Sequence, residues 1–289
     1  MPSATLWLLD GSRVAEEDVA FFVQQLGASE ARRYGRFERR ERQRQFLLGR
    51  MLLRFAVSNL MSIPLDALAV IERESNAPQL VLPNECYLQP AFSISHSRDW
   101  VACVVSSNAY LGLDIEVESP GRDIISISQS AFHPKDHDWL LSQPETVRLS
   151  AFYQLWCTRE ALYKLMSSLG RQTVLSPLVG MDGTFASHGP NWHRYTLSHS
   201  ALIVAICSDQ PLSALSKIEV KELTRADWLA AKQGSINQRH YQTKLPSGQS
   251  ASVVSHAVCT LSRTALARRY LAMMSLALAV QPKGLGLLL

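Results

Sequence analysis

The chain has 289 residues, 47% of them hydrophobic and 19% charged, so it can bury a substantial core and wholesale disorder is excluded. Its net charge of +4 is unevenly placed: from Ala231 onward there are seven basic residues and no Asp or Glu, and without those seven the balance is 22 basic against 25 acidic. The five cysteines (Cys86, Cys103, Cys157, Cys207, Cys259) are odd in number and never form a CxxC pair, which argues against a disulfide framework or zinc site and suits a reducing cytosol.

Taken in chain order, ATLWLLD (Ala4 to Asp10) reads as a strand, and AEEDVAFFVQQLG as a helix stopped at Gly27. Glu30 to Leu60 is expected as one long helical region, first rich in Arg and then apolar. DALAVIERESNAPQLV gives a strand, a polar turn and a second strand. AFSISHSRDWVACVVSSNAYLGLDIE follows as a hairpin turning at Ser106-Ser107-Asn108. LSAFYQLWCTREALYKLMSSLG reads as a helix closed by Gly170, with shorter strands around Tyr195 to Cys207 after it.

The triplet Ser95-His96-Ser97 recurs 103 residues later as Ser198-His199-Ser200, each copy followed by a Val/Ile/Ala/Cys run. Duplication of an α+β unit would produce this, and so would chance likeness of two short strands. Near the end, YLAMMSLALAV is too short to span a bilayer and reads as a core or interface helix. The start, MPSATLWLLDGS, lacks the pattern of a secretory signal, so a soluble, cytoplasmic protein is expected. The acid-free tail is either a contact for an acidic partner or a solvated extension.

Strand alternation puts Asp114 and Glu116 on one face, with Leu113 and Ile115 toward the core. Two adjacent carboxylates repel, which is useful where a divalent cation sits between them; oxygen ligands suit Mg²⁺. A solvated strand edge explains the pair equally well. Glu160 and Lys164, spaced i, i+4 one turn beyond Trp156, form either a surface ion pair or a partly buried metal and phosphate site. His96 between serines is either structural or a donor to phosphate oxygens. Arg50 and Arg54, and the arginines from Arg32 to Arg44, add cationic capacity. Glu30, Glu38 and Glu41 among them weigh against a nucleic-acid site, and no G-x-x-x-x-G-K-[ST] loop is present.

FSISHS, GLDIE and FYQLWCTREALYKLMSSLG, in this order and spacing, together with RQFLLGRMLLR upstream, resemble the motifs of the Sfp-type 4′-phosphopantetheinyl transferases over roughly Glu30 to Cys207. The resemblance implies an α+β fold of two pseudo-symmetric halves, 1–112 and 113–220, with the active site in the cleft between them and a basic extension over 221–289. It implies coenzyme A as co-substrate, Mg²⁺ on its pyrophosphate, and an apo acyl or peptidyl carrier protein as partner, with a monomeric protein and no nucleic-acid or membrane partner. By position, Asp114, Glu116 and Glu160 match the metal carboxylates, Glu160 also the proposed base, and Lys164 a phosphate-contacting lysine. Ser95 and His96 match coenzyme A phosphate contacts, and Arg50 a 3′-phosphate contact. Arg159 stands where the family has a lysine. The turn reads Asn76-Ala77-Pro78, without the family's basic residue, and only Asp136 corresponds to its loop glutamate. The rival readings are a module that binds coenzyme A or carrier protein without transfer, and a Mg²⁺-dependent phosphohydrolase. In the transferase reading the second triplet is a structural echo, because no acidic pair and no second helix follow it.

Overall fold

The computed structural model describes residues 2–73, 77–83, 88–172, 175–199, 202–232 and 241–243. Ser200, Asn76, Cys86, Cys259 and the YLAMMSLALAV segment lie outside them. In chain order the elements are β1 (Ser3–Asp10), α1 (Glu16–Val23), α2 (Ala28–Tyr34), α3 (Arg40–Met61), β2 (Ala69–Ile71) and β3 (Gln79–Val81). They continue with β4 (Ala91–Ser97), β5 (Trp100–Ser106), β6 (Leu111–Val117), α4 (Ile124–Ala131), α5 (Pro134–Ser142) and α6 (Glu145–Ser168). The described chain ends with β7 (His188–Gly189), β8 (Trp192–His199), β9 (Leu202–Ser208), β10 (Ala214–Val220), α7 (Arg225–Lys232) and β11 (Tyr241–Thr243).

Helices and sheets are mixed, as an α+β fold requires. The larger of two compact units, residues 2–118, 153–172 and 187–243 where described, holds a five-stranded sheet ordered β11-β10-β1-β5-β4 and a four-stranded sheet ordered β6-β9-β8-β7. β1 pairs antiparallel with β5 and parallel with β10, Trp7 standing between Cys103 and Ile218. Alternation along β1 serves two cores. Trp7 and Leu9 pack with α3 residues such as Leu48 and Leu52, and Leu6 and Leu8 with Leu113, Ile115, Val204 and Ile206 of the second sheet. The order strand, helix, hairpin occurs twice, as β1, α3, β4–β5 and as β6, α6, β8–β9, so Ser95-His96 and Ser198-His199 each lie near the end of the first strand of a hairpin.

Four local expectations are corrected. The first helix stops at Val23, and Gly27, at extended φ −67° and ψ 162°, caps the start of α2 rather than ending α1. The long helical region is two helices, because α2 closes at Gly35 and α3 starts only after Arg39, whose backbone is extended. The hairpin turns at Arg98-Asp99, with Arg98 at φ 52°, not at Ser106 to Asn108; the latter stretch instead carries the chain from β5 to β6 in the second sheet. Finally, residues 221–232, counted with the basic extension over 221–289, bury Leu223, Trp228 and Ala231 in the same core as Phe22 and Phe55. α6 ends as expected before Gly170, at φ +66°.

The smaller unit, 119–152 and 175–186 where described, holds α4, α5 and the first eight residues of α6. Asp136, fully buried, accepts hydrogen bonds from the backbone N–H groups of Leu178 and Val179. Its carboxylate thus fixes a neighbouring loop within this unit.

Candidate active site

Gly112, Asp114 and Glu116 share one face of β6, the face that α6 covers. A glycine is needed at 112 because the backbone of α6 at Ala161 and Leu165 lies against it. This close approach sets Lys164 of α6 beside Asp114, and Trp156, Glu160 and Asp114 are all buried.

β4 and β6 are the facing edges of the two sheets, and no backbone ladder joins them. Serine side chains do so instead. The hydroxyls of Ser93, Ser95 and Ser97 accept the backbone N–H groups of Leu113, Ile115 and Val117 at 3.0, 3.3 and 3.0 Å. Ser95 Oγ then donates to Asp114 Oδ1 at 2.8 Å, and Ser97 Oγ to Glu116 Oε2 at 2.7 Å. The alternate residues of β4, Phe92, Ile94 and His96, face a cavity. This explains a strand that buries its serines and leaves its larger side chains half-buried.

Lys164 Nζ donates to Asp114 Oδ1 and the Leu113 carbonyl, both at 2.8 Å, and to Ser95 Oγ at 3.2 Å. Burial works to lower its pKa, but the Asp114 carboxylate and the charge of Glu160 outweigh it and hold the ammonium above the usual lysine value. Asp114 Oδ2 is buried and has no hydrogen-bond partner among the described residues. The Cys157 thiol is pushed well up by burial and by Asp114 and Glu116, so it stays protonated.

The cavity measures about 470 Å³. Five basic side chains line it, Arg33, Arg42, Arg50, Arg73 and Lys164, and no carboxylate among the described residues does. Phe37, Phe46 and Phe92 supply apolar wall. Arg50 sits over the Phe46 ring, 4.6 Å from its centroid, and bonds through Nε to Glu72 Oε1 at 2.6 Å, while Arg33 Nη1 bonds to Glu72 Oε2 at the same distance. Burial would raise the Glu72 carboxyl, but the two arginines hold it below the usual range. Burial, with Arg42 and Lys164 nearby, lowers the pKa of His96 to about 3, so its ring is neutral.

Of the residues singled out from sequence, Arg50, His96 and Lys164 reach the cavity wall. Asp114, Glu160, Ser95 and Arg159 are buried and do not line it, and the Ser95 hydroxyl is committed to the seam with β6. Arg54 is a buried structural residue that forms two bonds to Glu30 at 2.9 and 2.6 Å. Arg44 is likewise structural, donating to the Gly11 and Val14 carbonyls. Sequence reasoning did not single out Arg42, Arg33 or Arg73 individually. Arg42 is one residue of a basic run, and only the return of β4 beside α3 marks it. The second triplet's His199 packs edge-on to Trp100, lies 3.1 Å from Lys217 Nζ and has its Nε2 3.6 Å from Glu219 Oε1.

Two family models match the chain: the 4′-phosphopantetheinyl transferase superfamily over residues 110–229, and the N-terminal region of a 4′-phosphopantetheinyl transferase over residues 13–108. The 4′-phosphopantetheinyl transferase gsp of Aneurinibacillus migulanus is 28% identical over 53% of this chain and 56% of its own length. The 4′-phosphopantetheinyl transferase psf-1 of Bacillus pumilus is 32% identical over 42% of this chain and 49% of its own. HetI of Nostoc, named a 4′-phosphopantetheinyl transferase, is 26% identical over 48% and 58%. The chain thus spans about half the length of the curated relatives it matches. On these two matched regions and the motifs within them, the chain belongs to the 4′-phosphopantetheinyl transferase superfamily.

Proposed function

We propose that this chain transfers 4′-phosphopantetheine from coenzyme A to a serine of an apo acyl or peptidyl carrier protein, releasing adenosine 3′,5′-bisphosphate. The observation that carries this reading is the cavity with five basic side chains, aromatic wall and no lining carboxylate, one edge of which is Lys164 beside Asp114. Such a site favours a ligand with several phosphates and an apolar or aromatic portion.

Arg33, Arg42 and Arg50 bind the phosphates of coenzyme A and hold it against Phe46. Lys164 neutralises a pyrophosphate oxygen. Glu160, directly or through water, takes the proton of the carrier serine. The serine oxygen then bonds to the β-phosphorus as the P–O bond to the departing adenosine bisphosphate breaks. Asp114 and Glu116 fit Mg²⁺ as oxygen donors, and the partnerless Asp114 Oδ2 is an acceptor suited to a cation. Among the described residues no three Asp, Glu, His or Cys side chains already converge on one point. Glu160 would join these two as the third ligand, and the bound ion would withdraw charge from the pyrophosphate. The exposed Arg32, Arg36, Arg39 and Arg40 form a basic rim that would steer an acidic carrier protein. We take the protein to act as a cytoplasmic monomer without nucleic-acid or membrane partners. No described helix is long and apolar enough to cross a membrane.

The test is to mix the protein with coenzyme A, Mg²⁺ and an apo carrier protein, then weigh the carrier. A gain of one phosphopantetheine, abolished or strongly reduced by Glu160→Gln, supports transfer. An unchanged carrier with intact coenzyme A means binding only, and cleaved coenzyme A with an unchanged carrier means hydrolysis.

A further inference from the structure

His188 of β7 and His193 of β8 stand directly opposite each other, with the pair Gly189 and Trp192 and the turn Pro190-Asn191 between them. The Arg194 N–H donates to the Ser187 carbonyl at 2.7 Å, so the next pair outward is hydrogen-bonded. His188 and His193 therefore occupy the non-hydrogen-bonded position of the ladder, where opposing side chains come closest. Their ring centroids are 6.0 Å apart, with the rings tilted by 35°. Trp192 steadies the turn, because its indole lies over Gly189, where an added Cβ would stand 2.3 Å from Nε1. Adjacent side chains alternate, so the indole takes one face of the hairpin and the two imidazoles the other. Neither imidazole has a hydrogen bond among the described residues; His188 is exposed and His193 half-buried.

We propose that His188 and His193 chelate a divalent transition metal of the Zn²⁺ class, at a site separate from the carboxylates. Imidazole nitrogen suits Zn²⁺, Ni²⁺ and Cu²⁺, whereas Mg²⁺ takes oxygen donors. Zn–N bonds are about 2 Å long, so an ion set between these rings is bonded by both after a small side-chain rotation. β7 lies at the opposite edge of the four-stranded sheet from β6, the strand of Asp114 and Glu116. No third Asp, Glu, His or Cys among the described residues completes the set, so water fills the remaining positions. The ion thus exchanges with solvent, and when bound it ties β7 to β8. This site needs nothing from the transferase reading.

The experiment titrates zinc chloride into the full chain by calorimetry, in buffer with excess Mg²⁺ to occupy oxygen-donor sites. The parent is expected to take up Zn²⁺ and to show a melting temperature that rises with its concentration. His188→Asn and His193→Asn should each weaken Zn²⁺ binding by more than about tenfold. The double variant should bind no more weakly than either single one, because one imidazole alone no longer chelates. Parental affinity in either single variant would overturn the assignment, as would a parent that takes up no Zn²⁺. Losses that multiply in the double variant would mean that the two histidines hold metal independently, and would overturn it as well. If His193→Asn melts early, His193→Gln takes its place.

Discussion

The Cβ that Gly112 lacks would stand 1.9 Å from the Ala161 carbonyl oxygen and 2.6 Å from the Leu165 amide nitrogen. Both obstacles are helix backbone, so neither can swing aside. Gly112→Ala should therefore lift α6 off β6, costing about 3 kcal/mol or more in urea denaturation and separating Lys164 from Asp114. Gly121→Ala, with nothing within 4 Å of the new atom, is the control and should be near neutral. A stable, fully active Gly112→Ala would refute the packing described.

The ammonium of Lys164 is held above its ordinary value in the folded protein. The stability this pair contributes is present below the unfolded lysine pKa, about 10.4, and is lost as pH rises through the folded value. Lys164→Met should abolish that component, so parent and variant should converge in melting temperature under strongly alkaline conditions. Asp114→Asn should destabilise rather than stabilise, because it leaves a half-buried ammonium without its counter-charge. Raised stability in that variant would contradict the pairing.

His96 behaves in the opposite direction. Its ring stays neutral in the fold down to about pH 3, whereas the unfolded chain takes up the proton near 6.5. Stability should decline as pH falls from about 6.5 toward 3, and His96→Asn should flatten the slope over that window. Denaturant midpoints measured at intervals of pH provide the check; equal slopes would argue against a buried neutral ring.

Ser97→Ala would leave the Val117 N–H and Glu116 Oε2 without the hydroxyl that now serves both. The expected cost is about 1–3 kcal/mol, with faster amide exchange at Val117 than at residues of the β6–β9 ladder. Unchanged exchange at Val117 would mean that the seam carries no stability.

Cutting the chain after Val220 removes Leu223, Trp228 and Ala231 from the core. Such a truncation should aggregate or melt well below the parent, and Trp228→Ala alone should cost about 3–5 kcal/mol. A soluble truncation with parental melting temperature would restore the view that everything beyond residue 220 is appended.

Much of the site was legible because it obeys local periodicity. Alternation put Asp114 and Glu116 together, and the i, i+4 stripe put Trp156, Glu160 and Lys164 on a face that is indeed buried. What escaped depends on partners distant in sequence. Nothing around Ser95 shows that its hydroxyl will meet a β6 amide rather than a ligand, since hairpin alternation is the same whichever edge the strand faces. Arg42 and Arg44 are neighbours in one basic run, yet one lines the cavity and the other is tied to the Gly11 and Val14 carbonyls. The helix break at Gly35 was masked by the strong helix formers on both sides of it.

The parallel pairing of β1 with β10 joins Ser3 to Ala214 and Leu9 to Val220. During synthesis β1 leaves the ribosome long before its partner exists. Its sheet must wait with an open edge until more than two hundred further residues have been made, and such long-range pairing is slow to close. An unpaired apolar strand such as TLWLL is meanwhile an adhesive surface. Nascent chains arrested before residue 220 should therefore need a chaperone to stay dispersed, and yield in expression should respond to translation speed more than to changes at the active site.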